Sequence, residues 1–209
     1  MSDANGIWAA AHAAASEVEP NDVVGLGTGR AAAMFVRALA ARVEDGLRVK
    51  GVPTSIRTAE LARELGVPLA TLDDVSELAL DVDGADEVDP NLDLIKGHGG
   101  ALLRERVVAS ISKRFLILVG PDKIVPRLGA LRSVPVEVAP FAAPVVARRL
   151  ASLGAEVEMR ERDGEPFESD NGNHILDARF ATLDDPAALE RDIDAVPGVV
   201  DSGLFIGMA

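Results

Sequence analysis

The side chains best suited to binding a polar ligand follow an apolar strand in the segment LALDVDGADEVDP, residues 78–90. There, Asp83 and Asp86 flank a turn through Gly84 and Ala85. Carboxylates at the C-terminal end of a strand lie where open α/β sheets bind their ligands. The segment superficially resembles a calcium loop, but it lacks that motif's twelve-residue spacing. We interpret both carboxylates as groups that bind hydroxyls of a polyol, with a metal loop or a solvated turn as the alternatives.

Glu105 is the candidate for proton transfer. It belongs to the segment LIKGHGGALLRERVV, residues 94–108, in which Lys96 precedes a glycine-rich turn and a helix follows. A glutamate flanked by two arginines is ordinarily a solvated helix charge. Near the start of a helix that opens from a ligand-binding turn, however, a carboxylate can reach the substrate. We expect crowding by the two aspartates to raise its pKa toward a value useful for catalysis.

A second glycine-rich turn lies in VVGLGTGRAAAMF, residues 23–35, where a strand leads through glycines into a helix. Glycines let a ligand approach the backbone, and the N–H groups at a helix start attract an anion such as phosphate. Many such turns are only tight connections. A dinucleotide site would want a carboxylate at the end of the second strand, roughly 20 residues on. That strand is predicted to end at 52–54 without one, so a small phosphate fits better than NAD.

Lysines are scarce in this chain: there are four, against 17 arginines. The compact ammonium of lysine and the planar fork of arginine are not equivalent in a tight site. Lys96, which precedes a glycine-rich turn, and Lys123, which follows a predicted strand, are therefore candidates for ligand binding. Lys123 is equally well explained as an ordinary surface lysine. The three histidines, His12, His98 and His174, are scattered and do not predict a metal site.

Composition excludes several classes of function. The chain has no cysteine, so disulfides, thiolate metal sites and cysteine nucleophiles are absent. A net charge of -13 and only 3% aromatic residues argue against a nucleic-acid partner. No apolar run approaches the roughly 20 residues of a membrane helix, and the N-terminus does not resemble a signal peptide. We expect a cytoplasmic protein with no membrane partner.

Alternating apolar runs and amphipathic segments predict an α/β fold with a parallel, doubly wound sheet in the first part of the chain. The predicted elements are helices near 4–17, 30–44, 56–65 and 101–112, and strands at 23–26, 48–52, 78–82 and 115–119.

After Gly120-Pro121 the pattern changes to strand, helix, strand, strand, helix, strand. The predicted strands are 134–138, 156–159, 174–178 and 199–202, with helices at 143–152 and 186–194. This order is that of the ferredoxin-like α+β unit. With the boundary near 127–133, we predict a first domain of residues 1–130 plus 204–209 and a second, smaller domain of residues 131–203.

Four motifs occur in order over nearly the whole chain: GLGTG, DGADE, KGHGGAL followed by RE, and DNGN at 170–173. Together they strongly resemble the A-type ribose-5-phosphate isomerases. The resemblance implies a Rossmann-like domain and a ferredoxin-like domain in a homodimer or homotetramer. It also implies interconversion of D-ribose 5-phosphate and D-ribulose 5-phosphate in the pentose phosphate pathway, with a sugar phosphate as the small-molecule partner and without metal or organic cofactor.

The resemblance also implies roles for particular residues. Glu105 matches the proton acceptor of the family, Lys96 suits stabilisation of the enediolate, and Asp83 and Asp86 suit hydroxyl binding and ring opening. The residues that match the substrate-binding segments are Thr28, Gly29, Arg30, Ala31, Asp83, Gly84, Ala85, Asp86, Lys96, Gly97, His98, Gly99 and Lys123.

The chain departs from the family pattern at several positions. Arg30 and Ala31 stand where the family commonly has small hydroxyl residues, and residues 6–8 lack a lysine that often reaches the phosphate. We expect Arg30 to supply the missing charge, because its planar fork binds phosphate in a bidentate way. His98 replaces a usual glycine, which stiffens the turn. The chain also ends short of a final apolar strand that is usual in the family, and we expect a partner subunit to cover the sheet edge left there.

Three other functions fit parts of this pattern. A non-catalytic sugar-phosphate sensor shares the fold, but Glu105 and the acidic charge argue against it. An isomerase or epimerase for another phosphorylated sugar is compatible with Arg30, Ala31 and His98. An acyl or CoA transferase with a similar sheet would need a carboxylate nucleophile.

Overall fold

The computed structural model describes residues 3–209, and all the regular elements named here lie within that range. The helices are α1 (Asp3–Ser16), α2 (Arg30–Glu44), α3 (Ile56–Glu64), α4 (Leu102–Ser110), α5 (Ala143–Ser152) and α6 (Pro186–Asp194). The strands are β1 (Val23–Leu26), β2 (Lys50–Pro53), β3 (Leu80–Asp83), β4 (Glu87–Val88), β5 (Leu94–Ile95), β6 (Phe115–Ile117), β7 (Val134–Val138), β8 (Ala155–Met159), β9 (Glu161–Arg162), β10 (Glu165–Pro166), β11 (His174–Phe180), β12 (Val199–Ser202) and β13 (Leu204–Phe205).

The chain divides into two compact units, of which the first comprises residues 1–84, 104–122 and 209. Its sheet has the order β2-β1-β3-β6, and every neighbouring pair is parallel. The predicted parallel α/β sheet is therefore confirmed. All four strands run in the same direction, so the residues that follow their C-terminal ends lie along one edge of this sheet.

Helix α2 shows why these residues form a helix against the sheet of the first unit. It is rich in alanine, and its larger apolar side chains Phe35, Val36 and Leu39 recur at helical spacing and are fully buried. They pack in one core with Val24 and Leu26 of β1. The helix starts directly after Gly29, so its N-terminus lies at the edge of the sheet where the strands have their C-terminal ends.

The second unit comprises residues 85–103 and 123–208. Its larger sheet has the order β12-β7-β11-β8, and all its neighbouring strands are antiparallel. With α5 and α6 as the two connecting helices, this is the arrangement of a ferredoxin-like unit, as predicted. Val136, Val138 and Ile175 on its strands are fully buried.

A small antiparallel sheet of order β13-β5-β4 also belongs to the second unit, and the sequence did not predict it. Its strands are two residues long, too short for any hydrophobic period. The sheet leads directly into the glycine-rich turn after Lys96, whose backbone N–H donates to the carbonyl of Gly203 over 2.9 Å.

The two units differ from the predicted domains, 1–130 with 204–209 and 131–203, at residues 85–103, 123–130 and 204–208. Whether the two predicted domains fold independently is not decided by this division, so the domain boundary near 127–133 stays a prediction. None of the helices that the structure describes is both long enough and apolar enough to cross a membrane.

Candidate active site

The glycine turn after β1 is tied to the end of β3 in the first unit. The backbone N–H of Thr28 donates to Oδ1 of Asp83 over 3.0 Å, and the N–H of Gly84 donates to the same oxygen over 2.7 Å. Asp83 is fully buried. Gly29 has φ 108°, a left-handed conformation that favours glycine and turns the chain into α2. Asp83 therefore holds the conformation of the predicted phosphate turn.

A cluster of hydroxyl groups lies at the same sheet edge, and the sequence interpretation missed it. The Thr28 hydroxyl lies 2.8 Å from the Thr54 hydroxyl and donates to that of Ser55 over 2.8 Å. The Thr58 hydroxyl donates to the carbonyl of Gly27 over 3.0 Å. A signal was available, because Thr54 and Ser55 directly follow β2, and the ends of parallel strands meet at one edge.

Arg30 is exposed at the first position of α2, and the neighbouring Ala31 is half-buried. Arg30 lines a groove of about 630 Å³ in the first unit, together with two more arginines, Arg37 and Arg57. Two glutamates, Glu60 and Glu64, line the same groove. The arginines make this region of the glycine turn a place where an anion can be bound, although the glutamates offset part of their charge.

Glu105 lies in the first turn of α4, where its negative charge is favoured by the helix dipole. Only 4% of its surface is exposed. The ordinary alternative, a solvated helix charge, is therefore wrong for this residue. A carboxylate removed from water at the start of a helix is suited to proton transfer.

The glycine-rich turn 97–100 of the second unit is held by side chains. The N–H of His98 donates to Oδ2 of Asp86 over 3.0 Å, so the structure brings these two predicted site residues together. Gly97 has φ 97°, and a Cβ atom there would lie 2.9 Å from the Cβ atom of Leu102. The turn therefore requires glycine at this position for two independent reasons. Gly99, beside it, is exposed.

Lys96 precedes this turn and is 2% exposed, which is unusual for a lysine. Its Nζ lies 5.5 Å from the centre of the Phe205 ring, within the range of a cation–π interaction. Lys123 is half-buried at the end of a short 3-10 turn, Pro121–Lys123. The buried Lys96 can act more strongly on a nearby negative charge than Lys123 can, because less water screens its ammonium.

The predicted site residues divide between the two units. Thr28, Gly29, Arg30, Ala31, Asp83, Gly84 and Glu105 belong to the first, and Ala85, Asp86, Lys96, Gly97, His98, Gly99 and Lys123 belong to the second. In the part of the chain that the structure describes, no group of three or more His, Asp or Glu side chains is arranged to hold a metal ion. A parallel α/β sheet with a glycine turn and a buried glutamate at a helix start is the arrangement expected of an enzyme that moves protons.

Comparison with known proteins gives the family. The family model described as ribose 5-phosphate isomerase A (phosphoriboisomerase A) matches residues 50–209. Ribose-5-phosphate isomerase A of Roseiflexus castenholzii is 53% identical over 203 residues, which cover 96% of this chain and 87% of that protein.

Solved structures agree with the sequence relatives. Ribose 5-phosphate isomerase A from Methanocaldococcus jannaschii superposes with a TM-score of 0.94 at 41% identity, covering 98% of this chain and 92% of that one. A D-ribose-5-phosphate isomerase in complex with phospho-erythronic acid superposes with a TM-score of 0.97 at 38% identity, covering 100% and 93%. The chain belongs to the ribose 5-phosphate isomerase A family, and it is an isomerase.

Proposed function

We propose that this chain interconverts D-ribose 5-phosphate and D-ribulose 5-phosphate with Glu105 as the base. The observation that carries the assignment is the burial of Glu105, 4% exposed, in the first turn of α4 directly after the glycine-rich turn. A structural neighbour of this chain binds phospho-erythronic acid, a phosphorylated sugar acid. That acid has a planar carboxylate where an enediolate would have its reacting carbons.

The reaction moves one proton from C2 to C1 and another from O2 to O1. In the open-chain sugar, the carboxylate of Glu105 takes the proton from C2, and the electrons of the C–H bond form the C1–C2 double bond of an enediolate. The negative charge collects on the former carbonyl oxygen. The hydroxyl proton on O2 passes to O1, and return of the first proton to C1 with formation of the carbonyl at C2 completes the ketose. Glu105 therefore serves first as base and then as acid.

Lys96 is proposed to stabilise the enediolate oxygen. Lys96 is only 2% exposed, so the field of its ammonium is poorly screened by water and needs no reorganisation during the reaction. Asp83 and Asp86 are proposed to bind sugar hydroxyls and to assist ring opening. Both also accept backbone N–H bonds within their own units, which fixes where their carboxylates point.

The phosphate is proposed to bind at the Thr28–Ala31 turn, with a contribution from Lys123. The turn ends at the N-terminus of α2, where backbone N–H groups and the helix dipole favour an anion. Arg30 is exposed at this turn. Its guanidinium is therefore proposed to bind the phosphate in place of the hydroxyl groups that the family commonly has at the positions of Arg30 and Ala31. The proposed substrate-binding segments also include Gly84, Ala85, Gly97, His98 and Gly99.

The first test is conversion of ribose 5-phosphate to ribulose 5-phosphate by the purified protein with a chelator present, beside Glu105→Gln. We expect turnover that survives chelation and falls by about 10²- to 10⁴-fold in the variant, the usual value of a general base. Glu44→Gln, the same change at an exposed position at the end of α2, is the control. Binding of ribose 5-phosphate without turnover in the wild type would instead indicate a sensor.

Arg30→Ala tests the phosphate assignment. We expect KM for ribose 5-phosphate to rise by about tenfold with kcat little changed, because a phosphate contact remote from the reacting carbons binds substrate and transition state alike. Arg37→Ala, on the same groove but a further two turns along α2, is the matched control. An unchanged KM in Arg30→Ala would remove Arg30 from the site.

Assembly and location remain proposals as well. A homodimer or homotetramer is supported by apolar side chains on the surface of the second unit, such as Phe141, which is 99% exposed, and Val145, which is 51% exposed. Sedimentation equilibrium of the wild type and of Phe141→Ser would test the proposal. The cytoplasmic location expected from the sequence stays a prediction.

A further inference from the structure

A largely buried ion pair lies in the second unit at the turn that follows Lys96. Arg160 comes directly after β8, and Asp177 lies on the neighbouring strand β11. The Nε of Arg160 donates to Oδ2 of Asp177 over 2.9 Å, and Nη2 donates to Oδ1 over 2.5 Å. Their side chains are 13% and 23% exposed. This is the bidentate geometry that gives an arginine–carboxylate pair both strength and a fixed orientation.

The third nitrogen of the guanidinium points at the glycine-rich turn. Nη1 of Arg160 donates to the carbonyl oxygen of Gly97 over 2.9 Å and to that of His98 over 3.2 Å. The Gly97 carbonyl also accepts the N–H of Gly100 over 3.0 Å, within the turn. The turn is part of neither a helix nor a strand, so Arg160 supplies hydrogen bonds that regular structure would otherwise provide.

Two further contacts join the turn to the same ion pair. A Cβ atom at Gly100 would lie 2.5 Å from the Phe167 ring, and this ring lies 6.0 Å from the guanidinium carbon of Arg160. The Ser133 hydroxyl donates to Oδ1 of Asp177 over 3.3 Å, while the Ser133 carbonyl lies 3.1 Å from Nε2 of His98. The turn is thus fixed from its backbone, from its glycine and from the His98 ring.

We propose that Arg160, oriented by Asp177, is a positioning residue for the isomerisation. It holds the turn 97–99 in the conformation that places Lys96, the preceding residue, against the developing enediolate. The inference rests on the proposed function, because it assigns to Arg160 the geometry of a turn that binds substrate. Arg160 touches the carbonyls of the turn and acts on the reaction only through them.

Lysine cannot replace arginine in this role. A lysine ammonium at position 160 can reach either the carboxylate or the turn, but it lacks the planar fork that joins Asp177 to two carbonyls at once. Arg160→Lys and Arg160→Met are therefore both expected to impair turnover. In Arg160→Met, Asp177 no longer has a guanidinium to orient, so neutralising its charge should have little further effect on turnover. The effects of Arg160→Met and Asp177→Asn on kcat should therefore be strongly non-additive.

The kinetic test compares these variants with Arg127→Met. Arg127 also pairs with an aspartate of the second unit, Asp184, but over 3.4 Å and with both side chains mostly exposed. We expect kcat to fall by about 10- to 100-fold in Arg160→Met, the cost of a turn misplaced by about 1 Å. KM for ribose 5-phosphate should change less than about threefold, because the phosphate contacts are untouched. Arg127→Met should match the wild type.

Calorimetric titration with phospho-erythronic acid separates positioning from simple loss of folded protein. Its planar carboxylate resembles the enediolate, so its Kd should rise in parallel with the fall in kcat, at an unchanged stoichiometry. A merely structural role for Arg160 would lower the stoichiometry and leave Kd unchanged, and that result would overturn the proposal. If Arg160→Met does not fold, Arg160→Lys and Asp177→Asn are judged by the same two quantities.

Amide hydrogen exchange decides the inference independently of activity. The N–H groups of His98 and Gly100 should exchange faster in Arg160→Met than in the wild type, while exchange in β1 stays the same. Unchanged exchange together with unchanged kcat would refute the positioning role. A wild type that shows the protected turn but no conversion of ribose 5-phosphate would contradict the proposed function and leave the role of Arg160 in holding the turn intact.

Discussion

Gly27 is the position where a single added methyl group should do most harm to the predicted phosphate turn. A Cβ atom there would lie 2.2 Å from Oδ1 of Asp83 and 2.6 Å from the Cα atom of Asp83. The first contact involves a side chain, but the second involves backbone of the central strand β3. Rotation of the Asp83 side chain therefore cannot relieve the clash, and the glycine turn or the strand must move.

The size of the effect follows from these distances. Carbon atoms in ordinary contact are about 3.5 Å apart, so Asp83 and residue 27 must separate by about 0.9 Å in Gly27→Ala. Overpacking of this kind costs about 1 to 3 kcal/mol of stability. Since Oδ1 of Asp83 holds the Thr28 N–H, the phosphate turn is displaced too. A shift of about 1 Å at a catalytic constellation lowers kcat/KM by up to about 100-fold.

The assay combines thermal unfolding with turnover of ribose 5-phosphate. For a chain of this length, the expected destabilisation lowers Tm by about 2 to 12 °C. Gly6→Ala is the matched control, because a Cβ atom at Gly6, inside α1, meets nothing within 4 Å. It should raise stability by about 0.5 to 1 kcal/mol. A Gly27→Ala protein with both Tm and kcat/KM of the wild type would refute this reasoning.

Two further predictions concern side chains that hold loops in place. The buried Glu87 carboxylate accepts three backbone N–H bonds of 2.6 Å from the loop 129–132, so Glu87→Gln should lower the free energy of unfolding in urea by about 2 to 4 kcal/mol. Glu77→Gln, at an exposed position, should change it very little. Equal urea midpoints for the two variants would contradict this prediction. Ser55 caps α3 by accepting the N–H of Thr58, so Ser55→Ala should lower stability by about 1 kcal/mol, and loss of its bond to Thr28 should raise KM for ribose 5-phosphate. A changed Tm with an unchanged KM would separate the cap from the phosphate site.

Helices and strands of four or more residues were largely predictable from the sequence, and strands of two residues were not. Strands β1, β7 and β12 and helices α2, α5 and α6 have the predicted bounds, because each is an apolar run or an amphipathic stretch ended by glycine, proline or a capping residue. Strand β13 has two residues, and its partner β5 lies more than 100 residues earlier. A pairing between two-residue strands so far apart gives no local sequence pattern from which it could be predicted.

The sequence predicts site residues where polar side chains follow a strand or flank a glycine-rich turn. Asp83 and Asp86 were predicted because polar residues follow an apolar strand, and Lys96 and Glu105 because they flank a glycine-rich turn. Arg160 and Asp177 escaped notice, since their neighbours in the sequence give no sign that they meet. Only the pairing of β8 with β11 brings them together. The catalytic and binding roles of the predicted residues stay predictions until the variants are measured.

The sequence by itself determined the α/β class, the ferredoxin-like unit and the family. These depend on local periodicity, on glycines that a turn requires and on motifs in a fixed order, all of which survive without coordinates. Only the tertiary structure decided that Glu105 is buried rather than solvated and that Thr54 and Ser55 join the Thr28 turn. It alone placed Arg160 at the turn after Lys96. Burial and side-chain contacts join residues far apart in the chain, so they exist only once the strands have paired.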